Sequence, residues 1–287
     1  MIAPLAIAVA PNGARRTQAD HPALPMTPDE LAATAVACRE AGACMLHLHV
    51  RDDAGAHSLD AGRYREALAA IRAAVGDGLV LQVTTEAVGR YTPAEQRAVV
   101  RELRPEAVSL AVREAIPDAG EEAEARRFLH DCAEAGVAVQ LILYDTDDLA
   151  RWRDLRARGV IPAMPNGAAP NGAAPDGMAD RLYVLGRYAE GLTAAPGDLL
   201  PFVTAPDGRA DRWSVCAFGP REAACVLTGA ALGGHVRVGF ENNLHLPDGG
   251  LAPDNAALVA AVATGAKALG RPLASAADLR AALHGAR

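Results

Sequence analysis

The chain has 287 residues, 51% of them hydrophobic and 22% charged, enough to bury a large core as two ordinary domains or one α/β barrel of about 250 residues. Its 28 basic and 35 acidic residues leave a net charge of −7, which argues against a nucleic-acid surface or an anionic membrane as the main partner. Five cysteines (Cys38, Cys44, Cys132, Cys216 and Cys225) lie in apolar stretches without CxxC spacing, so buried thiols in a reducing compartment are expected rather than disulfides or a zinc knuckle. Met1-Ile2-Ala3-Pro4 does not open a secretory signal, and no apolar run nears the roughly 18 residues of a membrane span, so the expectation is a cytoplasmic, soluble protein.

In chain order, Pro4 to Ala10 is a continuous apolar run suited to a strand buried on both faces, ended by the turn Pro11-Asn12-Gly13. Arg15 and Arg16 follow in a loop. Thr27-Pro28-Asp29-Glu30 is a capping box with proline at the first helical position, opening a helix to Gly42. The second strand is Met45-Leu46-His47-Leu48-His49-Val50-Arg51-Asp52, and Asp60 caps a helix to about Val75. Leu79 to Val83 is the third strand, ending in Thr84-Thr85-Glu86, and Thr92-Pro93-Ala94-Glu95 repeats the capping box. Ala107 to Val112 is the fourth strand, with a helix from about Glu121 to Ala135. Val137 to Leu143 is the fifth, with a helix over Asp147 to Arg158.

Asn166-Gly167-Ala168-Ala169-Pro170 and Asn171-Gly172-Ala173-Ala174-Pro175 then form a short direct repeat, read as a flexible loop at 163–180 within one domain, 1–287. For the sixth strand, Leu182 to Leu185 is preferred over Val160-Ile161-Pro162. A helix over about Pro196 to Thr204, a seventh strand over Trp213 to Phe218 and a helix starting at Gly219-Pro220-Arg221-Glu222 follow. His235 to Phe240 is the eighth strand, with helices over Asn255 to Leu269 and Ala274 to His284. Eight strands alternating with eight helices fit a single (β/α)8 TIM barrel; an open doubly wound sheet lacks the GxGxxG turn after its first strand.

In such a barrel chemistry sits at the C-terminal ends of the strands. His47 and His49 are two apart, so on a strand they share a face and can hold one metal ion from one side, although such a pair alone is more often hydrogen-bonded core. The eighth strand neighbours the first, and the first the second, so Glu241 can complete a His47, His49, Glu241 set with an open position, suited to Zn²⁺ ahead of Fe²⁺ or Mn²⁺. Arg237, Gly239 and Glu241 share a face, and Gly239 is expected to leave room beneath the metal. Arg237 needs a partner, Asp52 or Glu241, and equally suits an anchor for a carboxylate or developing enolate. Thr84 and Thr85 are placed to donate to a substrate carboxylate. Arg221 opposes the usual charge preference of a helix start, which suits an anion such as a CoA phosphate.

Three blocks carry a family resemblance: Ala10-Pro11-Asn12-Gly13 with His21-Pro22-Ala23-Leu24-Pro25, His47 to Asp52, and Gly234 to Leu244, joined by Gly270-Arg271-Pro272. Through them nearly the whole chain resembles the β-keto acid cleavage enzyme family, whose founding activity is the 3-keto-5-aminohexanoate cleavage enzyme. The resemblance implies a zinc-containing (β/α)8 barrel, usually a homotetramer, that converts a β-keto acid and acetyl-CoA into acetoacetate and a new acyl-CoA. It implies one zinc at His47, His49 and Glu241, an anchor at Arg237 and a hydroxyl at Thr84 or Thr85. Asn12, Arg15 and Arg221 are the expected substrate-binding residues. Two positions depart from the family pattern. Asn242 stands where the family commonly has the Asp that works with the Arg in proton transfer, and Arg15 stands near a family Glu. Glu86 is therefore expected to act as base, or Arg15 to hold a second anionic group on the substrate. The alternatives are a metal-dependent hydrolase or lyase that does not use CoA, separated by acetyl-CoA dependence, and a non-catalytic metal-binding barrel, separated by binding without turnover.

Overall fold

A computed structural model describes residues 3–162, 180–209 and 212–284. Parallel strands β1 (Ile7–Val9), β2 (Met45–Leu48), β5 (Val80–Thr84), β6 (Ala107–Ala111), β7 (Ala138–Leu143), β8 (Asp180–Leu185), β9 (Trp213–Ala217) and β10 (His235–Val238) close into a barrel. A two-stranded antiparallel hairpin, β3 (Val50–Arg51) and β4 (His57–Ser58), sits on the rim after β2. The expected (β/α)8 barrel is the observed one.

The helices are α1 (Pro28–Glu40), α2 (Ala61–Val75), α3 (Pro93–Leu103), α4 (Val112–Ala115), α5 (Glu122–Glu134), α6 (Thr146–Ala157), α7 (Leu200–Thr204), α8 (Glu222–Ala231), α9 (Asn255–Ala268) and α10 (Ala276–His284). Their starts follow from side chains that satisfy otherwise orphaned backbone N–H groups. Thr27 and Glu30, and Thr92 and Glu95, form reciprocal capping boxes, while Asp60, Asp145 and Asp254 cap α2, α6 and α9. None of the described helices is long and apolar enough to cross a membrane.

Period two divides every barrel strand. Outward Leu46, Leu48, Leu81, Val83, Val108 and Leu110 pack with the helices in the main core. Inward Ala6, Met45, Val80, Ala107 and Ala138 meet Leu279 and Leu283 of α10, which plugs the N-terminal end. That plug leaves the C-terminal end as the open one.

Three details differ from the sequence expectation. Val160 and Ile161 are not a strand: both backbone N–H groups donate to Leu155 O, ending α6, and β8 takes the sixth position over the preferred segment. The fourth strand runs into the one-turn helix α4 before the longer α5. The stretch after His49 is a hairpin rather than plain loop. The Asn-Gly-Ala-Ala-Pro repeat and the expected flexible loop at 163–180 lie outside the described residues, apart from Asp180, which starts β8.

Candidate metal and substrate site

β2 is paired on both sides, with Ala8↔Met45 toward β1 and His47↔Gln82 toward β5, which fixes the register and turns His47 and His49 into the barrel mouth. Glu241 arrives by a different route. β10 ends at Val238, and Gly239 (φ +133°) bends the chain so that Glu241 N donates to Ala10 O at 3.1 Å, while Asn242 N and Asn243 N donate back to Gly239 O. Buried Glu222 holds this bend, accepting from Gly239 N (3.2 Å) and Asn243 Nδ2 (3.3 Å). Asn255 accepts from Phe240 N (2.8 Å) and donates to Pro11 O (3.1 Å), tying the bend to the loop after β1.

The outcome is a triangle of ligand atoms. His47 Nε2 and His49 Nε2 are 3.3 Å apart, and Glu241 Oε2 lies 3.5 Å from the first and 3.2 Å from the second. Metal–ligand bonds of about 2.0–2.1 Å in a tetrahedron give edges of roughly 3.3–3.4 Å. The three atoms therefore fit one face around an ion such as Zn²⁺. Two further observations agree. Glu241 Oε2 is buried and accepts no hydrogen bond among the described residues, whereas its other oxygen takes Arg237 Nη2 at 2.8 Å. Burial pushes the pKa of His47 down to about 4 and that of His49 to about 3, so both rings are neutral at pH 7 and carry a lone pair for a metal. Burial opposes the Glu241 charge, but Arg237, His49 and His47 outweigh it and hold the carboxyl well below its usual range.

The expected partner choice for Arg237 is settled: it pairs with Glu241, with Cys216 Sγ 3.3 Å away. Burial lowers its pKa, but Cys216 and Glu241 outweigh that, so it stays charged. The expected room beneath the metal does not come from Gly239, whose would-be Cβ meets Ala10 O at 2.4 Å. Gly239 lets two backbones approach. The glycine that makes room is Gly13 (φ +62°), whose Cβ would lie 2.5 Å from Glu241 Cγ.

Around the triangle opens a cleft at the C-terminal end of the barrel, with about 750 Å³ of empty space continuous with solvent. Asn12, Arg15, His47, His49, Thr84, Glu86, Arg237 and Glu241 line it. Thr85 does not: its hydroxyl donates to Ser109 O on the outer side of β5. Asn242 is fully buried away from the cavity, and Arg221 lies exposed where α8 begins. Sequence reasoning missed Ser109, Glu114, Tyr144 and Arg187, which also line the cavity. The signal was available for Ser109, which follows Ala107 and precedes Ala111 on the inward face of β6. None was available for Arg187, which lies beyond β8 and reaches Glu86 at 3.7 Å.

Glu86 stands at the cavity wall, its Oε2 3.9 Å from His49 Nδ1. Burial and then Glu241 raise its pKa to about 7, against Arg187 and Arg15. Arg51 organises the loop after β1, which lines the cavity. Its buried guanidinium donates to Gly13 O (2.5 Å), Arg16 O (2.9 Å) and Ala14 O (3.0 Å), holding the Asn12–Arg16 loop against β3.

A family model described as "beta-keto acid cleavage enzyme" matches residues 4–284 of this chain. The chain belongs to the β-keto acid cleavage enzyme family. Among curated members, it is 30% identical over 281 residues to a 3-keto-5-aminohexanoate cleavage enzyme of Fusobacterium nucleatum, covering 96% of each chain. It is 29% identical over 292 residues to a 3-oxoadipate:acetyl-CoA acetyltransferase of Cupriavidus necator, covering 99% of this chain and 95% of that one. Among solved structures, a ternary complex of ObcA with a C4-CoA adduct and oxalate superposes with a TM-score of 0.66 at 18% identity, over 91% of this chain and 67% of that one. That likeness supports the fold. Family membership makes the chain an enzyme.

Proposed function

We propose that this protein is a zinc-dependent acyltransferase that condenses a β-keto acid with acetyl-CoA to give acetoacetate and a new acyl-CoA. The observation that carries the reading is the metal-sized triangle of His47, His49 and Glu241 beside Arg237 and Glu86, in a chain matched by the family model over residues 4–284. Zn²⁺ held there would polarise the keto carbonyl and acidify the neighbouring CH₂.

The chain's own groups supply the rest. Arg237 and the Thr84 hydroxyl orient the substrate carboxylate. Glu86 removes the proton from C2, because Asn242 has no basic atom and does not line the cavity. The C2 carbanion attacks the acetyl thioester and CoA thiolate leaves. The thiolate then adds to the original keto carbon, the bond between C2 and C3 breaks, and the acyl group departs as acyl-CoA. The C2 carbanion regains a proton from Glu86, giving acetoacetate. Arg15, exposed at the cavity mouth, binds a second anionic group on the keto acid.

The test is a panel of β-keto acids with and without acetyl-CoA on metal-analysed protein, reading acetoacetate and acyl-CoA. Turnover without acetyl-CoA would replace this reading with a hydrolase or lyase, and binding without turnover would replace it with a binding protein. The five buried cysteines support a cytoplasmic setting. We also propose a homotetramer. Light scattering on the eluted protein should give four times the mass of the chain, and a monomer mass would remove that proposal.

A further inference from the structure

Below the metal triangle, inward positions of three barrel strands carry long polar side chains. Gln82 on β5, Gln140 on β7 and Asp180 on β8 are all buried. They form one file across the barrel. Gln140 Nε2 donates to Asp180 Oδ2 at 2.9 Å. Gln82 Nε2 faces Gln140 Oε1 at 3.4 Å. Gln82 Oε1 is 2.8 Å from His47 Nδ1. At the far end Arg212 Nε is 3.6 Å from Asp180 Oδ1, with the His235 ring 2.8 Å from Arg212 Nη1.

The file has a direction, which follows from donor and acceptor counts alone. A primary amide has one donor end and one acceptor end. The Asp180 carboxylate, beside a guanidinium, only accepts. Gln140 must turn its NH₂ toward it, which leaves Gln140 Oε1 for Gln82. Gln82 must then turn its own NH₂ toward Gln140, which leaves Gln82 Oε1 for His47. An acceptor at 2.8 Å from Nδ1 requires the ring proton on Nδ1. The neutral ring then has its lone pair on Nε2, the atom that faces His49 Nε2 and Glu241 Oε2. With both amides reversed, His47 would instead hold a proton on Nε2 and aim it into the triangle.

We propose that Asp180, acting through Gln140 and Gln82, sets the tautomer of His47, so that these three are positioning residues for the metal site. Ligand histidines depend on such outer partners, whose loss weakens metal binding about 10–100-fold. What is unusual here is that the partner in contact is an amide, which has no fixed sense of its own. The sense comes from a carboxylate two side chains further away, near the floor of the barrel. The proposal rests on the metal reading above for its consequence but not for the tautomer.

The test uses the full-length protein and two readouts. ¹⁵N NMR of the metal-free chain, with His47 assigned by comparison with His47→Gln, should show Nδ1 protonated and Nε2 bare. Transfer of Zn²⁺ to a chromophoric chelator measures affinity. Gln82→Leu should give a mixture of tautomers and lower zinc affinity by about 10–100-fold. Gln82→Glu, which keeps an acceptor for Nδ1, should restore both. Asp180→Leu with Arg212→Met removes the ion pair as a pair, so that no lone charge is buried. It should also mix the tautomers and weaken zinc, although neither residue touches His47. A wild-type ring protonated on Nε2 overturns the proposal, as does an unchanged tautomer and affinity in either disabling variant. A wild-type ring protonated on Nδ1 in a chain that takes up no zinc removes the metal reading and leaves the relay standing.

Discussion

Glu86 and Asn242 divide between them what one residue is expected to do. Both were candidates from their positions at strand ends, but placement separates them: Glu86 lines the cavity, whereas Asn242 is fully buried and does not. Replacement of Glu86 by Gln keeps the shape of the wall and removes the base, so turnover should fall about 10²–10⁴-fold with little change in zinc content. Unchanged turnover would remove Glu86 from the role. Arg15→Ala should raise the Michaelis constant for the keto acid and leave the metal in place, and an unchanged constant would remove the second-anion role. The two histidines were readable because period two needs only adjacent residues. Arg51, Arg187 and Glu222 were not readable, because the carbonyls, carboxylate and amides they meet come from distant stretches of chain. Arg271 is a similar case: within the Gly270-Arg271-Pro272 block it is structural, donating to Ala230 O and Gly234 O at 2.7 Å.

At the scale of elements, the bend after β10 decides whether Glu241 reaches the His47 and His49 rings. Gly239 is required there twice, by its φ of +133° and by the 2.4 Å that a Cβ would leave to Ala10 O. Gly239→Ala should therefore cost more than about 2 kcal/mol in a denaturant titration and lower zinc affinity with it. A variant of wild-type stability would show that the bend tolerates a side chain. Glu222 supports the same bend from α8. Burial raises its pKa to about 8, above an ordinary carboxyl near 4.5, against its bonds from Asn243 and Gly239. The folded chain thus keeps a proton on Glu222 that the unfolded chain has released. The stability this proton contributes is complete below the unfolded value and is lost as pH rises through about 8. Between pH 6 and 9 the wild type should lose more unfolding free energy than Glu222→Gln, and parallel curves for the two would contradict the assignment. The β3–β4 hairpin escaped the sequence reading because each of its strands is only two residues long, too short to display a period.

For the whole molecule, the barrel brings together residues from both ends of the chain and from its middle. Anything that binds such a site in the folded state alone stabilises the fold as a unit. Zinc at about 100 times its dissociation constant should add about 2.7 kcal/mol. Stripping the metal with a chelator should accordingly lower the thermal midpoint by roughly 5–10 °C in a calorimetric scan, and zinc alone should restore it. A midpoint indifferent to the metal would mean that the triangle holds no ion in solution. By itself the sequence determined the alternation of strands and helices, the helix starts and the shared face of His47 and His49, because caps, hydrophobic period and an HxH spacing are local properties. Only the tertiary structure decided which glycine makes room for Glu241, which threonine faces the cavity, and that Asn242 does not. It also supplied the file of Gln82, Gln140 and Asp180 behind His47. Those facts depend on closure of the barrel, which sets side chains far apart in the chain within hydrogen-bonding distance of one another.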